Sequence, residues 1–294
     1  MTTTSIHGII GYTVTPFDAQ GAPDLETLGL SIERMLDGGV HAIAPLGSAG
    51  EGPYLDEREW AQVAEHTLRT VAGRVPTVVS VSDLTTAGTV QRAQRAEALG
   101  ADAVMVLPVA YWKLSADEIR RHFRAVADAI GIPIMLYNNP GTSGIDMPVD
   151  LILRIVDENE RVTMVKESTG DIQRMHQLYL RAEGRVPFYN GCNPMALEAF
   201  VAGATGWCTA APNLIPTLNR QLYDAVCQQD LARAKAVFYR QLPVLDFILR
   251  GGLPTTVKAG LSLLGLEAGA PRAPLTGLDE TGRRELGALL ADLQ

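Results

Sequence analysis

The sequence predicts an α/β fold, a (β/α)8 TIM barrel with a C-terminal helical extension, from three observations. Short apolar runs rich in β-branched residues alternate with longer helical patterns up to about residue 230. The helical segments repeatedly end in glycine just ahead of the next apolar run. Beyond residue 230 the strand signal stops and only helical patterns remain. No GxGxxG follows the first strand, which argues against a doubly wound dinucleotide-binding sheet.

The expected strands are, in order, Gly8–Thr13, Ala42–Leu46, Thr77–Val81, Ala103–Leu107, Ile134–Tyr137, Val162–Lys166, Phe188–Asn190 and Gly206–Thr209. They are almost continuously apolar, as parallel strands covered on both faces are. Between them, Asp56-Glu57-Arg58-Glu59 and Ser115-Ala116-Asp117-Glu118 read as helix starts with acidic first turns. Gly38-Gly39, Gly100 and Gly203 supply the left-handed turn that ends a helix before the chain re-enters the barrel. After the eighth strand, Asp230–Leu249, Pro254–Leu264 and Asp279–Leu293 read as helices separated by Gly/Pro breaks. The expected organisation is a catalytic barrel over 1–229 and a helical appendage over 230–294 packed on it.

Composition limits the function. The chain has 294 residues, a net charge of −8 and a pI near 5.2, which disfavours nucleic acid or an anionic membrane as a partner. No apolar run approaches a membrane span, and the first residues lack the basic and apolar regions of a signal peptide. Cys192, Cys208 and Cys227 form no CxxC pair, which fits a reducing cytoplasmic location. The five histidines show no metal-ligand spacing, so no metal and no cofactor are expected.

Lys166 is the central candidate. Of 25 basic residues only four are lysines, Lys113, Lys166, Lys235 and Lys258, and one of them ends an apolar strand. Arginine does not give up its proton in proteins, whereas a desolvated lysine does and is then a nucleophile. In a barrel, reacting groups sit at the C-terminal ends of strands. Strict alternation places Val162, Met164 and Lys166 on one face. Tyr137 ends the neighbouring fifth strand, and adjacent strands lie about 4.8 Å apart, so its phenol is within reach of Lys166 to pass protons. After the second strand, Gly47-Ser48-Ala49-Gly50 lets backbone N–H groups converge on an anion such as a carboxylate. Tyr111-Trp112-Lys113 after the fourth strand reads as a pocket wall or a subunit contact. Lys113, on a loop, is a weaker nucleophile candidate, and Lys235 and Lys258 are expected on the surface.

As an ordered set, Thr15-Pro16-Phe17, Gly47-Ser48-Ala49-Gly50-Glu51, Tyr111-Trp112-Lys113, Leu136-Tyr137-Asn138-Asn139-Pro140 and Val165-Lys166-Glu167-Ser168-Thr169-Gly170 resemble the dihydrodipicolinate synthase / N-acetylneuraminate lyase family of pyruvate-type class I aldolases. The resemblance spans nearly the whole chain. It implies a metal-independent lyase in which Lys166 forms a Schiff base with pyruvate or a related 2-oxo acid. Tyr137 would be the acid/base, and Ser48 with the Ala49 backbone would hold the substrate carboxylate. Tyr111 would reach a neighbouring subunit's site and complete a proton relay through Ser48. A homotetramer built as a dimer of dimers is implied as well. Gly47, Thr142, Gly191 and Cys208 complete the expected substrate-binding set, the loop at Gly191 lying toward the variable end of the substrate.

Two departures bear on the substrate. Thr142 stands where synthases carry an arginine for the second substrate's carboxylate, and Ala49 where a second threonine is usual; one residue also precedes Tyr111 as an insertion. These count against lysine-pathway condensation with its aldehyde partner, while Tyr111-Trp112-Lys113 after the fourth strand resembles family members acting on sugar-derived 2-oxo acids, as a 2-keto-3-deoxy acid aldolase or dehydratase would. Both readings stay open, as does a catalytically silent 2-oxo-acid-binding barrel. A phosphate-handling barrel is disfavoured, because the loops after strands seven and eight lack a glycine-rich cradle.

Overall fold

The computed structural model describes residues 5–293. Its strands are β1 (Gly8–Tyr12), β2 (Ala42–Ala44), β3 (Val78–Ser80), β4 (Ala103–Val106), β5 (Ile134–Asn138), β6 (Val162–Glu167), β7 (Phe188–Asn190) and β8 (Gly206–Thr209). All paired neighbours are parallel, in the order β2-β1-β8-β7-β6-β5-β4-β3. The two end strands meet through the Ile43–Thr77 bridge, with Ile43 N–H donating to Pro76 O at 3.0 Å and Ser80 N–H to Pro45 O at 3.2 Å. These bonds close the (β/α)8 barrel, and helices cover the outside of the strands.

The expected strands are the observed ones, with shifts at their ends that have local causes. β2 stops at Ala44 because Pro45 has no N–H to give the ladder and Leu46 turns into the left-handed region at φ 65°. β6 departs from strict alternation. Ile134 pairs with Val162 but Met135 pairs with Met164, so Thr163 is an extra residue in β6. Because Ile134 and Met135 face opposite sides of the sheet, their partners Val162 and Met164 do too. The expectation that Val162 shares the inward face of Met164 and Lys166 is therefore corrected by the bulge. Lys166 itself is unaffected, since the register beyond the bulge is regular.

The helix starts follow the residues that predicted them. Glu59 N–H donates to Asp56 Oδ1 at 2.8 Å and Asp56 N–H to Glu59 Oε2 at 3.0 Å, a reciprocal capping box. Ser115 and Glu118 form a second one, with Ser115 N–H donating to Glu118 Oε2 at 2.7 Å. Gly39, Gly100 and Gly203 lie at φ 82°, 91° and 97°, the conformation their junctions required. The C-terminal helices span Leu231–Gly251, Leu253–Leu263 and Glu280–Ala291, the first and last capped by Asp230 and Asp279. The first packs on the helix Pro216–Cys227, where buried Asn219 donates to Gln241 Oε1 at 2.7 Å. Among the described residues no helix is long and apolar enough to cross a membrane.

At the N-terminal end of the barrel, His41 accepts the Ile9 N–H on Nδ1 at 3.0 Å and stacks edge-on to Tyr223 at 4.8 Å. Burial, helped by the charges of Arg220 and His7 and opposed by Asp224, pushes the imidazole down to about 4. The unfolded chain therefore binds a proton that the folded one refuses between pH 6.5 and about 4, so stability falls as pH falls through that window. With the ring only partly buried, solvent screening limits the loss to on the order of 1 kcal/mol. Denaturation midpoints measured from pH 7 to pH 4 should drop less steeply for His41→Gln than for the parent; parallel profiles would contradict the assignment.

Candidate active site

Lys166, the penultimate residue of β6, lies side by side with Tyr137 of β5 and Tyr189 of β7. It is only 4% exposed, and it takes part in no ion pair among the described residues. Instead its Nζ lies 3.9 Å from the ring centre of Tyr137 and 3.9 Å from that of Tyr12. The amine is thus held between two aromatic faces at the C-terminal mouth of the barrel. Tyr12, from the end of β1, was not among the sequence candidates; its inward position on a strand end is the signal that could have found it. Its hydroxyl donates to Met105 Sδ at 3.0 Å, and burial, reinforced by Cys208, raises its phenol well above the ordinary value.

Tyr137 is 3% exposed, and its hydroxyl oxygen accepts from Asn139 Nδ2 at 2.7 Å. The same Nδ2 donates to Thr142 Oγ1 at 2.9 Å. Asn139 therefore joins Thr142, on the short helix Pro140–Ser143, to the phenol, whose own proton is not committed to that link. Cys208 is buried in β8, and its burial raises the thiol while Lys166 and Tyr12 pull in the opposite direction.

The loop after β2 is shaped by two non-glycine residues in the left-handed region, Leu46 at φ 65° and Glu51 at φ 54°. Glu51 N–H turns back onto Ser48 O at 3.4 Å, and Thr15 Oγ1 donates to Gly50 O at 2.7 Å. Gly47 lies against the Tyr12 ring, where a Cβ would come within 3.0 Å of Cδ1. The loop and the lysine thus share Tyr12 as a wall. Ser48 is half-buried, and Ala49 is buried.

Gly191 follows β7 and donates its N–H to Glu167 O at 2.8 Å. A Cβ there would stand 1.7 Å from Ser168 Oγ and 2.9 Å from Lys166 Cε, so only glycine fits. Ser168 Oγ is buried beside the lysine stem with no hydrogen-bond partner among the described residues, a second neighbour of Lys166 the candidate set lacked. Glu167 alternates to the opposite face and is fully buried. It accepts from Asn138 Nδ2 at 3.1 Å, Thr169 N–H at 2.7 Å and Arg174 Nε at 3.4 Å. Those three bonds fix the strand end that aims Lys166.

Tyr111 is 93% exposed and Trp112 79%, so one chain by itself does not bring Tyr111 onto Lys166. Lys113 and Lys235 are exposed as expected. Lys258 is not: it is 1% exposed and lies 2.6 Å from Glu51 Oε1. A surface position was the expectation because its helix lies outside the strands; the C-terminal segment instead folds over the loop after β2.

The family profile of the dihydrodipicolinate synthetase family matches residues 5–293. The chain belongs to this family. A 4-hydroxy-tetrahydrodipicolinate synthase of Pelobacter propionicus is 32% identical, over 96% of this chain and 97% of that protein. An uncharacterised DapA-like lyase of Halobacterium salinarum is 33% identical, over 98% and 94% of the two chains. The crystal structure of a Pseudomonas aeruginosa protein, provisionally assigned as a dihydrodipicolinate synthetase, shares 72% identity at a TM-score of 0.97 and covers 99% of this chain and 100% of that one. YagE of Escherichia coli K12, a prophage protein of the family solved in complex with pyruvate, shares 26% identity at a TM-score of 0.92, covering 98% of each chain.

The close approach at Gly191 yields a direct prediction. Gly191→Ala should destabilise the fold by about 1–3 kcal/mol, the usual result of overpacking, and Ser168→Gly in the same chain should recover part of it. Urea denaturation of the single and double variants measures both; a Gly191→Ala chain as stable as the parent would show that the 191 loop simply moves away.

Proposed function

We propose that this member of a lyase family acts through a Schiff base between Lys166 and pyruvate or a related 2-oxo acid. The observation that carries the reading is the buried Lys166 amine at the barrel mouth, set between Tyr12 and Tyr137 and without a carboxylate partner. An amine tied into an ion pair is a poor nucleophile; one packed against aromatic faces keeps its lone pair accessible once deprotonated. The pyruvate complex of YagE supports the same substrate class for a relative.

The chemistry follows from the geometry. The neutral amine adds to the C2 carbonyl of the 2-oxo acid, giving a carbinolamine. Tyr137 gives its phenolic proton to the carbinolamine hydroxyl, which leaves as water, and the iminium remains. The iminium then accepts the electron pair released when the C3–C4 bond breaks, or when a proton leaves C3. The resulting enamine is protonated at C3 to give back the iminium, which water hydrolyses to release pyruvate and the free Lys166 amine; in the reverse direction the enamine adds to an aldehyde. The substrate carboxylate would lie against the Ser48 and Ala49 N–H groups, where the left-handed turns at Leu46 and Glu51 curl the loop into a concave surface.

For the second half of the substrate, Thr142 offers a neutral hydroxyl, already joined to Tyr137 through Asn139. That favours a hydroxylated partner, as in a 2-keto-3-deoxy sugar acid, over a carboxylated one such as the second substrate of lysine-pathway synthases. The exposed Tyr111, Trp112 and Leu84 around the same mouth support association into the homotetramer, with Tyr111 serving a neighbouring site.

Incubation with pyruvate and borohydride, followed by intact and peptide mass analysis, tests the proposal. The parent should carry one reduced adduct on Lys166, Lys166→Ala none, and Tyr137→Phe should form it about 10²–10⁴-fold more slowly. A parent chain without adduct would instead favour the silent binding barrel.

A further inference from the structure

Glu51 closes the candidate carboxylate loop, yet its own side chain points away from solvent into the protein, fully buried. Two groups receive it. Lys258 Nζ, from the helix Leu253–Leu263, stands 2.6 Å from Oε1. Arg272 N–H, from the segment beyond that helix, donates to Oε2 at 2.6 Å. The Phe17 ring lies beneath both cations, 3.9 Å from Lys258 Nζ and 4.4 Å from the Arg272 guanidinium carbon. Lys258 also donates to Ala270 O at 3.2 Å, and the Arg272 guanidinium is held by Glu59 at 2.8 Å. The segment is sewn to the barrel by Phe17 N–H donating to Ala268 O at 3.1 Å, and Gly269 at φ 70° is packed so close that a Cβ would meet Phe17 O.

A buried carboxylate on a left-handed residue is a costly element, since the backbone conformation and the desolvated charge both oppose folding. Among the described residues its cationic partners come only from the C-terminal segment. The catalytic chemistry proposed above uses neither Glu51 nor Lys258. Removing Lys258 would leave a buried, uncompensated charge directly under the turn that presents Ser48 and Ala49, and the turn can relieve it by rotating Glu51 out.

We propose that the Glu51–Lys258 pair is a positioning device through which the C-terminal helical segment sets the shape of the Gly47–Glu51 loop and thereby its hold on the substrate carboxylate. This rests on the Schiff-base reading of the site. Lys258 and Glu51 touch no reacting atom; they act through the loop backbone. The groups facing the ammonium are Glu51 and Arg272, with Glu59 behind the arginine. Burial pushes Lys258 down to about 8 in spite of the Glu51 carboxylate, so the pair loses its charge complementarity in an accessible pH range.

The test is the pyruvate concentration that half-saturates borohydride trapping at Lys166, compared between the parent and Lys258→Met, which keeps the volume without the charge. The variant should need at least tenfold more pyruvate at pH 7 while reaching the same final labelled fraction. The ratio of variant to parent should shrink toward one as pH rises through about 8, because the parent then loses the same charge; effects of pH on Lys166 cancel in the ratio. Glu51→Gln should show the same rise and serves as the deciding variant if Lys258→Met does not fold. Adducts forming with parent-like half-saturation in the folded variants would overturn this inference alone, as would a ratio that does not change with pH. No adduct on the parent at any concentration would overturn the Schiff-base reading, and this inference with it.

Discussion

The site depends on a single constraint: a lysine side chain buried at the mouth of a closed barrel, with aromatic faces where a counter-ion would usually stand. Each ring contributes on the order of 0.5–2 kcal/mol to a cation at its face, less than the several kcal/mol that removing an ion from water costs. The pocket therefore draws its stability from the surrounding barrel. The nearby sequence reflects that demand. Gly47 is flat against Tyr12, Gly191 is flat against the lysine stem, and Glu167 anchors the opposite face of the same strand end. A side chain larger than hydrogen at either glycine would enter the space that Lys166 and its neighbours fill.

Two buried lysines in one chain take contrasting environments. Lys258 has a carboxylate at 2.6 Å and a carbonyl at 3.2 Å, so its amine is committed to holding structure. Lys166 has neither, only ring faces and the unpartnered hydroxyl of Ser168 close to its stem. The difference separates an amine committed to an ion pair from one without a counter-ion, and the second is the one proposed to react. The C-terminal helical segment also supplies, in Lys258, the charge beside the buried Glu51 at the end of the loop after β2.

Much of this was legible in the sequence. Apolar runs, capping boxes and helix-ending glycines are local signals, and the eight strands and three C-terminal helices follow them closely. Lys166 and Tyr137 were legible because strand pairing brings consecutive barrel strand ends together. The rest depends on long-range geometry. The extra residue at Thr163 leaves no mark in an apolar run, so the face of Val162 was misread. Lys258 looked like a surface cation because its burial is decided by Glu51, far away in the chain. Tyr12 and Ser168 come beside Lys166 only when the barrel closes, and Tyr111 stands exposed on the single chain.

The most direct measurement of the central claim is a crystal structure of the protein soaked with pyruvate. The account predicts continuous density from Lys166 Nζ to C2 of the 2-oxo acid, with the carboxylate against the Ser48 and Ala49 N–H groups and the Tyr137 hydroxyl facing the new bond. Pyruvate bound without a covalent link to Lys166, or an adduct on Lys258, would contradict it.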